Sequence, residues 1–167
     1  IETLAGHGDA VNSVAYSPDG ETLATASIDQ TVKLWRMDGT EPKTLVGHDN
    51  VVNSVTYSPD GERLATASND NTVKLWDTDG TELDTLEGHS DIVKSVAYSP
   101  DGERLVTASW DSTVKLWDAD GTFIKTLAGH GDAVNSVAYS PDGETLATAS
   151  RDNTVKLWRM DGTELNT

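Results

Sequence analysis

The sequence predicts an all-β chain assembled from four copies of one small sheet, and three observations carry that expectation. Trp35, Trp76, Trp117 and Trp158 recur every 41 residues, as do His7, His48, His89 and His130. Runs rich in β-branched residues alternate with clusters of Gly, Pro, Asp and Ser, the chemistry of strands joined by turns. No window places its apolar residues at a helical period.

Cut at the Leu before each Gly-His, the chain divides into units 4–44, 45–85, 86–126 and 127–167, with three residues left over at the start. Of the 41 positions, 26 are identical in all four units, and the first and last units differ only at Ile28/Arg151, Gln30/Asn153, Pro42/Leu165 and Lys43/Asn166. Drift seldom leaves copies this alike, so recent amplification or deliberate design is the expected origin.

Each unit reads as four short strands. In the first, Val11-Asn12-Ser13-Val14-Ala15-Tyr16 is β-branched and aromatic enough for a strand, and Ser17-Pro18-Asp19-Gly20 is a turn. Leu23-Ala24-Thr25-Ala26-Ser27 follows, then a tight turn about Ile28-Asp29-Gln30. Thr31-Val32-Lys33-Leu34-Trp35 alternates cleanly and stops at Asp38-Gly39, a strong hairpin dipeptide. A fourth strand, from about Thr40 to Leu45, leads into the next Gly-His. Four hairpin-linked strands repeated about every 40 residues point to a blade-by-blade array within a single segment, 1–167.

Composition bounds what such an array can do. With 28 Asp and Glu against 12 Lys and Arg, the chain carries a formal charge of −16 and repels phosphate backbones and anionic lipid. Neither nucleic acid nor membrane is therefore an expected partner. It has no cysteine, which removes disulfides and thiolate chemistry together. No apolar run approaches the roughly 18 residues of a membrane span. The chain opens on Ile1 rather than Met, as a processed or excised form would, and a natural chain of this composition is expected in the cytoplasm.

Gly6-His7, the Ser-Pro-Asp-Gly turn, Thr-Ala-Ser-x-Asp and Thr-Val-Lys-Leu-Trp together resemble the WD40 repeat, over essentially the whole chain. Two units keep the literal Trp-Asp pair, Trp76-Asp77 and Trp117-Asp118, whereas the outer two have Trp35-Arg36 and Trp158-Arg159. The resemblance implies that each unit supplies one blade of a β-propeller, with its last strand on the blade's outer edge.

Every unit also contains a His, a Ser and an Asp, so a nucleophilic triad must be weighed. No Gly-x-Ser-x-Gly elbow accompanies them, and the set occurs four times over, as expected of a part belonging to the blade. The resemblance implies a buried hydrogen-bond network instead, in which Asp orients His, His meets a strand hydroxyl, and the hydroxyl meets the Trp indole. The residues expected in it are His7, Ser27, Asp29 and Trp35, then His48, Ser68, Asp70 and Trp76. The third and fourth sets are His89, Ser109, Asp111 and Trp117, and His130, Ser150, Asp152 and Trp158. Alternation puts Thr25 on the same strand face as Ser27, so either can supply the hydroxyl. No catalytic residue, metal ligand or cofactor is expected. Asp77-Thr78-Asp79-Gly80 and Asp118-Ala119-Asp120-Gly121 look like the start of a calcium loop, but their Gly comes two positions early and no Glu closes the loop, so they read as hairpin turns.

Where the units differ, they describe what each blade shows to the outside. The most divergent column is Ile28, Asn69, Trp110 and Arg151, just before the tight-turn Asp. A second variable stretch follows each Gly-His and includes Asn12, Asn53, Lys94 and Asn135. Both adjoin the same end of the blade, which the resemblance makes the top face of the propeller, where a peptide or protein can bind. Trp110 and Arg151 are the anchors expected there, since Trp and Arg dominate interface energetics.

Four blades in a ring would turn about 90° between neighbours, against about 45° for eight. The small residues Ser13, Ala15, Ala24 and Ala26 suit close, nearly parallel packing, so an eight-bladed ring closed by a homodimer is expected. Residues 1–3 duplicate 165–167 in register, so one end is expected to complete the seam blade while the other frays.

Overall fold

In a computed structural model, residues 3–38 and 42–165 are described, and every regular element among them is a β-strand. The first sheet runs β1 (Val11–Tyr16), β2 (Thr22–Ser27), β3 (Thr31–Arg36) and β4 (Lys43–Val46). The second comprises β5 (Val52–Tyr57), β6 (Arg63–Ser68), β7 (Val73–Asp77) and β8 (Glu82–Leu86). The third comprises β9 (Val93–Tyr98), β10 (Arg104–Ser109), β11 (Thr113–Asp118) and β12 (Phe123–Ala128). The fourth holds β13 (Val134–Tyr139), β14 (Thr145–Ser150) and β15 (Val155–Arg159). In each sheet the strands pair antiparallel in chain order, the meander that short hairpin connections dictate. These are the four blades that the 41-residue period predicts.

The fourth sheet has the beginning of an outer edge. Trp158 bridges Glu164, and the Leu165 N–H donates to the Leu157 carbonyl at 2.7 Å. Ile1, Glu2, Asn166 and Thr167 lie outside the described residues, and so does Thr40, the expected start of the fourth strand.

Two turns repeat in every blade. In the first, the Ser17 carbonyl accepts from the Gly20 N–H at 2.8 Å, while the Ser17 hydroxyl donates to Asp19 and accepts from the Thr22 N–H. Gly20 sits at φ 75°, a left-handed conformation that glycine adopts without strain. The second turn places Gln30, Asn71, Ser112 and Asn153 in the same region, at φ 67° to 72°. Side chains resist that conformation, and the turn is held by Asp29, whose Oδ1 accepts from both the N–H and the hydroxyl of Thr31 at 3.0 and 2.6 Å.

A β-bulge near the start of each inner strand gives the blades a polar link. Val11 pairs Ser27 and Ser13 pairs Ala26, which leaves Asn12 as the extra residue. Its side-chain amide donates to the Val52 carbonyl of the next sheet at 3.0 Å, and Asn53 repeats the link to Val93 at 2.9 Å.

The core lies between sheets. β5 packs on β1 and β2, β9 on β5 and β6, and β13 on β9 and β10. One face of the first sheet supplies Ala24, Ala26, Val32, Leu34 and Leu45, and the opposing face of the second supplies Val52, Val55, Tyr57, Leu64 and Trp76. Ala24 and Ala26 are fully buried, and the Ser13 hydroxyl accepts from the Val55 N–H across the joint. These are the small residues from which close packing is expected. Each Val or Leu that enters such a joint stabilises it by roughly 1.5–3 kcal/mol. No helix among the described residues is long and apolar enough to cross a membrane.

Candidate functional site

In the second blade, His48 precedes β5 and Asp70 occupies the β6–β7 turn. The His48 Nδ1–H donates to Asp70 Oδ2 at 2.7 Å. The other His48 nitrogen lies 2.8 Å from the Thr66 hydroxyl, which also accepts the Trp76 indole N–H at 2.9 Å. Read with a neutral imidazole, the donors all point one way: Trp76 to Thr66, Thr66 to His48, His48 to Asp70. The same relay links Trp35, Thr25, His7 and Asp29, then Trp117, Thr107, His89 and Asp111, and finally Trp158, Thr148, His130 and Asp152.

The hydroxyl in the relay is therefore the threonine. Ser27, Ser68, Ser109 and Ser150 stand on the same strand face but two residues closer to the turn, out of reach of the indole. Ser68 bonds the Asn50 carbonyl and accepts from the Asp70 N–H at 3.1 Å, so it shapes the turn that holds the aspartate. Because Thr66 is fully buried between an imidazole and an indole, the arrangement packs an aromatic ring without orphaning its donor. It presents no hydroxyl to a substrate.

The aspartate collects further donors. Burial pushes the Asp70 carboxyl upward, but hydrogen bonds from His48 and Thr72 outweigh it and hold the group well below the usual carboxylate range. His89 shifts downward, because burial disfavours the imidazolium more than Asp111 favours it. The glycine before His48 answers to the same packing: a Cβ on Gly47 would stand 2.9 Å from the Trp76 ring.

The variable columns meet above these relays. The backbone N–H of Ile28 donates to Ala10, of Asn69 to Val51, of Trp110 to Ile92, and of Arg151 to Ala133, each at 2.9 Å. Side chains of the third and fourth blades then come together. The Arg151 guanidinium lies 4.0 Å from the Trp110 ring centroid, and the Lys94 ammonium lies 5.7 Å from it. The Trp110 indole N–H donates to Asn135 Oδ1 at 3.1 Å, and Lys94 donates to Asn53 Oδ1 at 2.9 Å. Trp110 is thus partly covered by its neighbours rather than standing free. Ile28 and Asn69 occupy the equivalent turns of the first two blades, and Asn69 accepts from Asn53, the residue that also accepts from Lys94.

The opposite end is built from invariant positions. Tyr16, Tyr57, Tyr98, Tyr139 and the prolines two residues after each line a concave hollow of about 420 Å³. The Asp77–Gly80 segment is the expected hairpin turn: both carboxylates accept from the Thr81 N–H, and the Gly80 N–H donates to the Asp77 carbonyl at 3.0 Å.

The WD domain, G-beta repeat family matches this chain four times, at residues 1–36, 39–77, 80–118 and 121–159. The chain belongs to the WD40 repeat family. Stretches about one repeat long also resemble parts of other proteins. An uncharacterized WD repeat-containing protein of Synechocystis is 53% identical over 36 residues, 21% of this chain and 10% of that protein. The Notchless protein homolog of Arabidopsis thaliana is 56% identical over 34 residues, 20% of this chain and 7% of that protein. A probable cytosolic iron-sulfur protein assembly protein of Malassezia globosa is 67% identical over 30 residues, 18% of this chain and 8% of that protein. The matched stretch thus spans a tenth or less of the length of each.

Two contacts of this WD40 chain were not legible from its residues. The Asn12 link depends on a bulge, and a bulge depends on register. The stacking of Arg151 on Trp110 joins residues 41 apart in the chain, equivalent positions of adjacent repeats. Their place in the same variable column was the one available signal.

Proposed function

We propose that the chain is a non-catalytic scaffold, an arc of a WD40 propeller whose two end faces close by pairing with a second copy into an eight-bladed ring. One observation carries the reading. Val11, Val14 and Tyr16 on the first blade are 51%, 60% and 65% exposed, whereas their equivalents Val52, Val55 and Tyr57 are 0%, 5% and 8% exposed. On the far side of the fourth blade, Val155 is 67% exposed against 1% for Val73. The uncovered faces carry the two complementary halves of the joint that is already made three times within the chain. In such a ring Asn135, the equivalent of Asn12, gives the second copy the link that Asn12 gives Val52. The near-identity of the units supports recent amplification or design as their origin.

Size-exclusion chromatography with light scattering tests the closure. The expected mass is twice the 17.8 kDa of one chain, falling to the single-chain value for Val14→Glu. A parent chain that elutes at the single-chain mass at working concentration overturns the reading.

The Arg151–Trp110 stack favours a second reading, an interaction module that takes a peptide or protein segment on the top face about Ile28, Asn69, Trp110 and Arg151. An acidic surface disfavours nucleic acid and anionic lipid as ligands.

A further inference from the structure

Three side chains that set the third and fourth units apart from their sisters meet at one indole. The repeat places Asn12, Asn53 and Asn135 at the bulge, and the third unit has Lys94 there. Trp110 and Arg151 are the third and fourth members of the most divergent column. The bulge turns Lys94 toward Asn53 of the second blade, and the inter-blade joint brings Arg151 onto Trp110. Two cations therefore converge on one indole, on a chain whose net charge is −16.

Among the described residues no ion pair includes Lys94 or Arg151, and no hydrogen bond engages the Arg151 guanidinium. Held 4.0 Å from the ring centroid by cation–π attraction, the guanidinium keeps N–H donors that no described residue engages, and two of them can receive a carboxylate through parallel bonds. Lys94 uses one of its three donors on Asn53 and keeps two. Burial and the neighbouring Arg151 charge both push Lys94 below its ordinary pKa, as expected of a site with a surplus of positive charge.

We propose that Lys94 and Arg151, steadied by Trp110, bind a single carboxylate of a short peptide segment. This rests on the top-face reading above and names the chemistry of its ligand. A lone charge is favoured over a polyanion because attraction is confined to this spot, within about 8 Å at physiological ionic strength, while the rest of the surface repels. The carboxylate can belong to an acidic side chain or to a chain terminus, and the two sources are separable.

The experiment follows the Trp110 indole and Arg151 guanidinium N–H resonances of the full chain by NMR during four titrations. The probes are acetyl-Ala-Glu-Ala-amide, acetyl-Ala-Gln-Ala with a free carboxylate, the fully neutral acetyl-Ala-Gln-Ala-amide, and inorganic phosphate. Saturable shifts with the first probe support an acidic side chain, and with the second a chain terminus. Arg151→Asn and Lys94→Asn, which copy the residues of sister units and so keep the fold, should each weaken binding at least about tenfold. Arg159→Gln, at the other end of the blade, carries the same change of charge and should leave the titration unaltered. Equal shifts with the neutral peptide overturn the carboxylate while leaving the top-face reading intact. Saturation by phosphate alone overturns the proposal, and no top-face shift with any peptide overturns both.

Discussion

Val14 and Val55 occupy the same column of the same repeat, each preceded by Val-Asn-Ser, yet one is 60% exposed and the other 5%. The internal joints and the end faces are therefore made of the same surface in two environments. What the repeat encodes is a blade with two apolar faces; whether a face is buried is decided by the next blade. Each joint is also directional, since the Ala, Val and Leu face of one sheet always meets the Val, Tyr and Trp face of the following one. Covering an end face thus needs the opposite face of another arc, not a second copy of itself.

The largest expected effect separates two tryptophans. Trp76 lies in the joint between the first two blades, whereas Trp35 is buried against its own blade at the uncovered end. Trp76→Ala should cost about 3–5 kcal/mol in urea unfolding, the range for large core truncations, and Trp35→Ala less. Equal losses would mean that the first blade's outer face is as well packed as the internal joints.

A milder pair sharpens the comparison. Val55→Ala removes two methyl groups from a filled joint and should cost roughly 2 kcal/mol. Val14→Ala should cost close to nothing in an unpaired chain, and as much as Val55→Ala in a closed ring. In the ring its cost should also vary with protein concentration, since association and folding are then linked. Chemical denaturation at two concentrations about a hundredfold apart distinguishes the outcomes.

Acid should affect all blades alike and more gently. The folded-state pKa of Asp29, Asp70 and Asp111 is depressed, so the stability they contribute is present above the unfolded value near 4 and is lost as pH falls below it. His89, also lowered, adds a loss in the same direction as pH falls through its unfolded value near 6.5. Thermal unfolding followed by circular dichroism should show a melting temperature lower at pH 3 than at pH 7. A melting temperature unchanged over that range would remove the relays from the stability of the blades.

The blades themselves were legible because a strand-and-turn pattern repeated four times leaves little choice of period. Thr31 to Trp35 alternates, Ser17 to Gly20 turns, and the strands follow. The relay was legible down to its His, Asp and Trp but not to its hydroxyl. Period-two alternation cannot separate Thr25 from Ser27; the strand's register, with Leu23 opposite Trp35, places Thr25 within 2.8 Å of the indole nitrogen and leaves Ser27 at the turn. Trp110 and Arg151 stood out as departures from the repeat, but their stacking arises only once neighbouring blades are set side by side.

The one-way relay from indole to carboxylate begins and ends within a single 41-residue module, so no module depends on another for its internal polar pairing. What crosses a boundary is mostly greasy surface, with a few neutral polar links such as the bulge amide to a peptide carbonyl. Modules of this kind are interchangeable parts. Adding or dropping a whole module would therefore strand no buried carboxylate or imidazole of its neighbours.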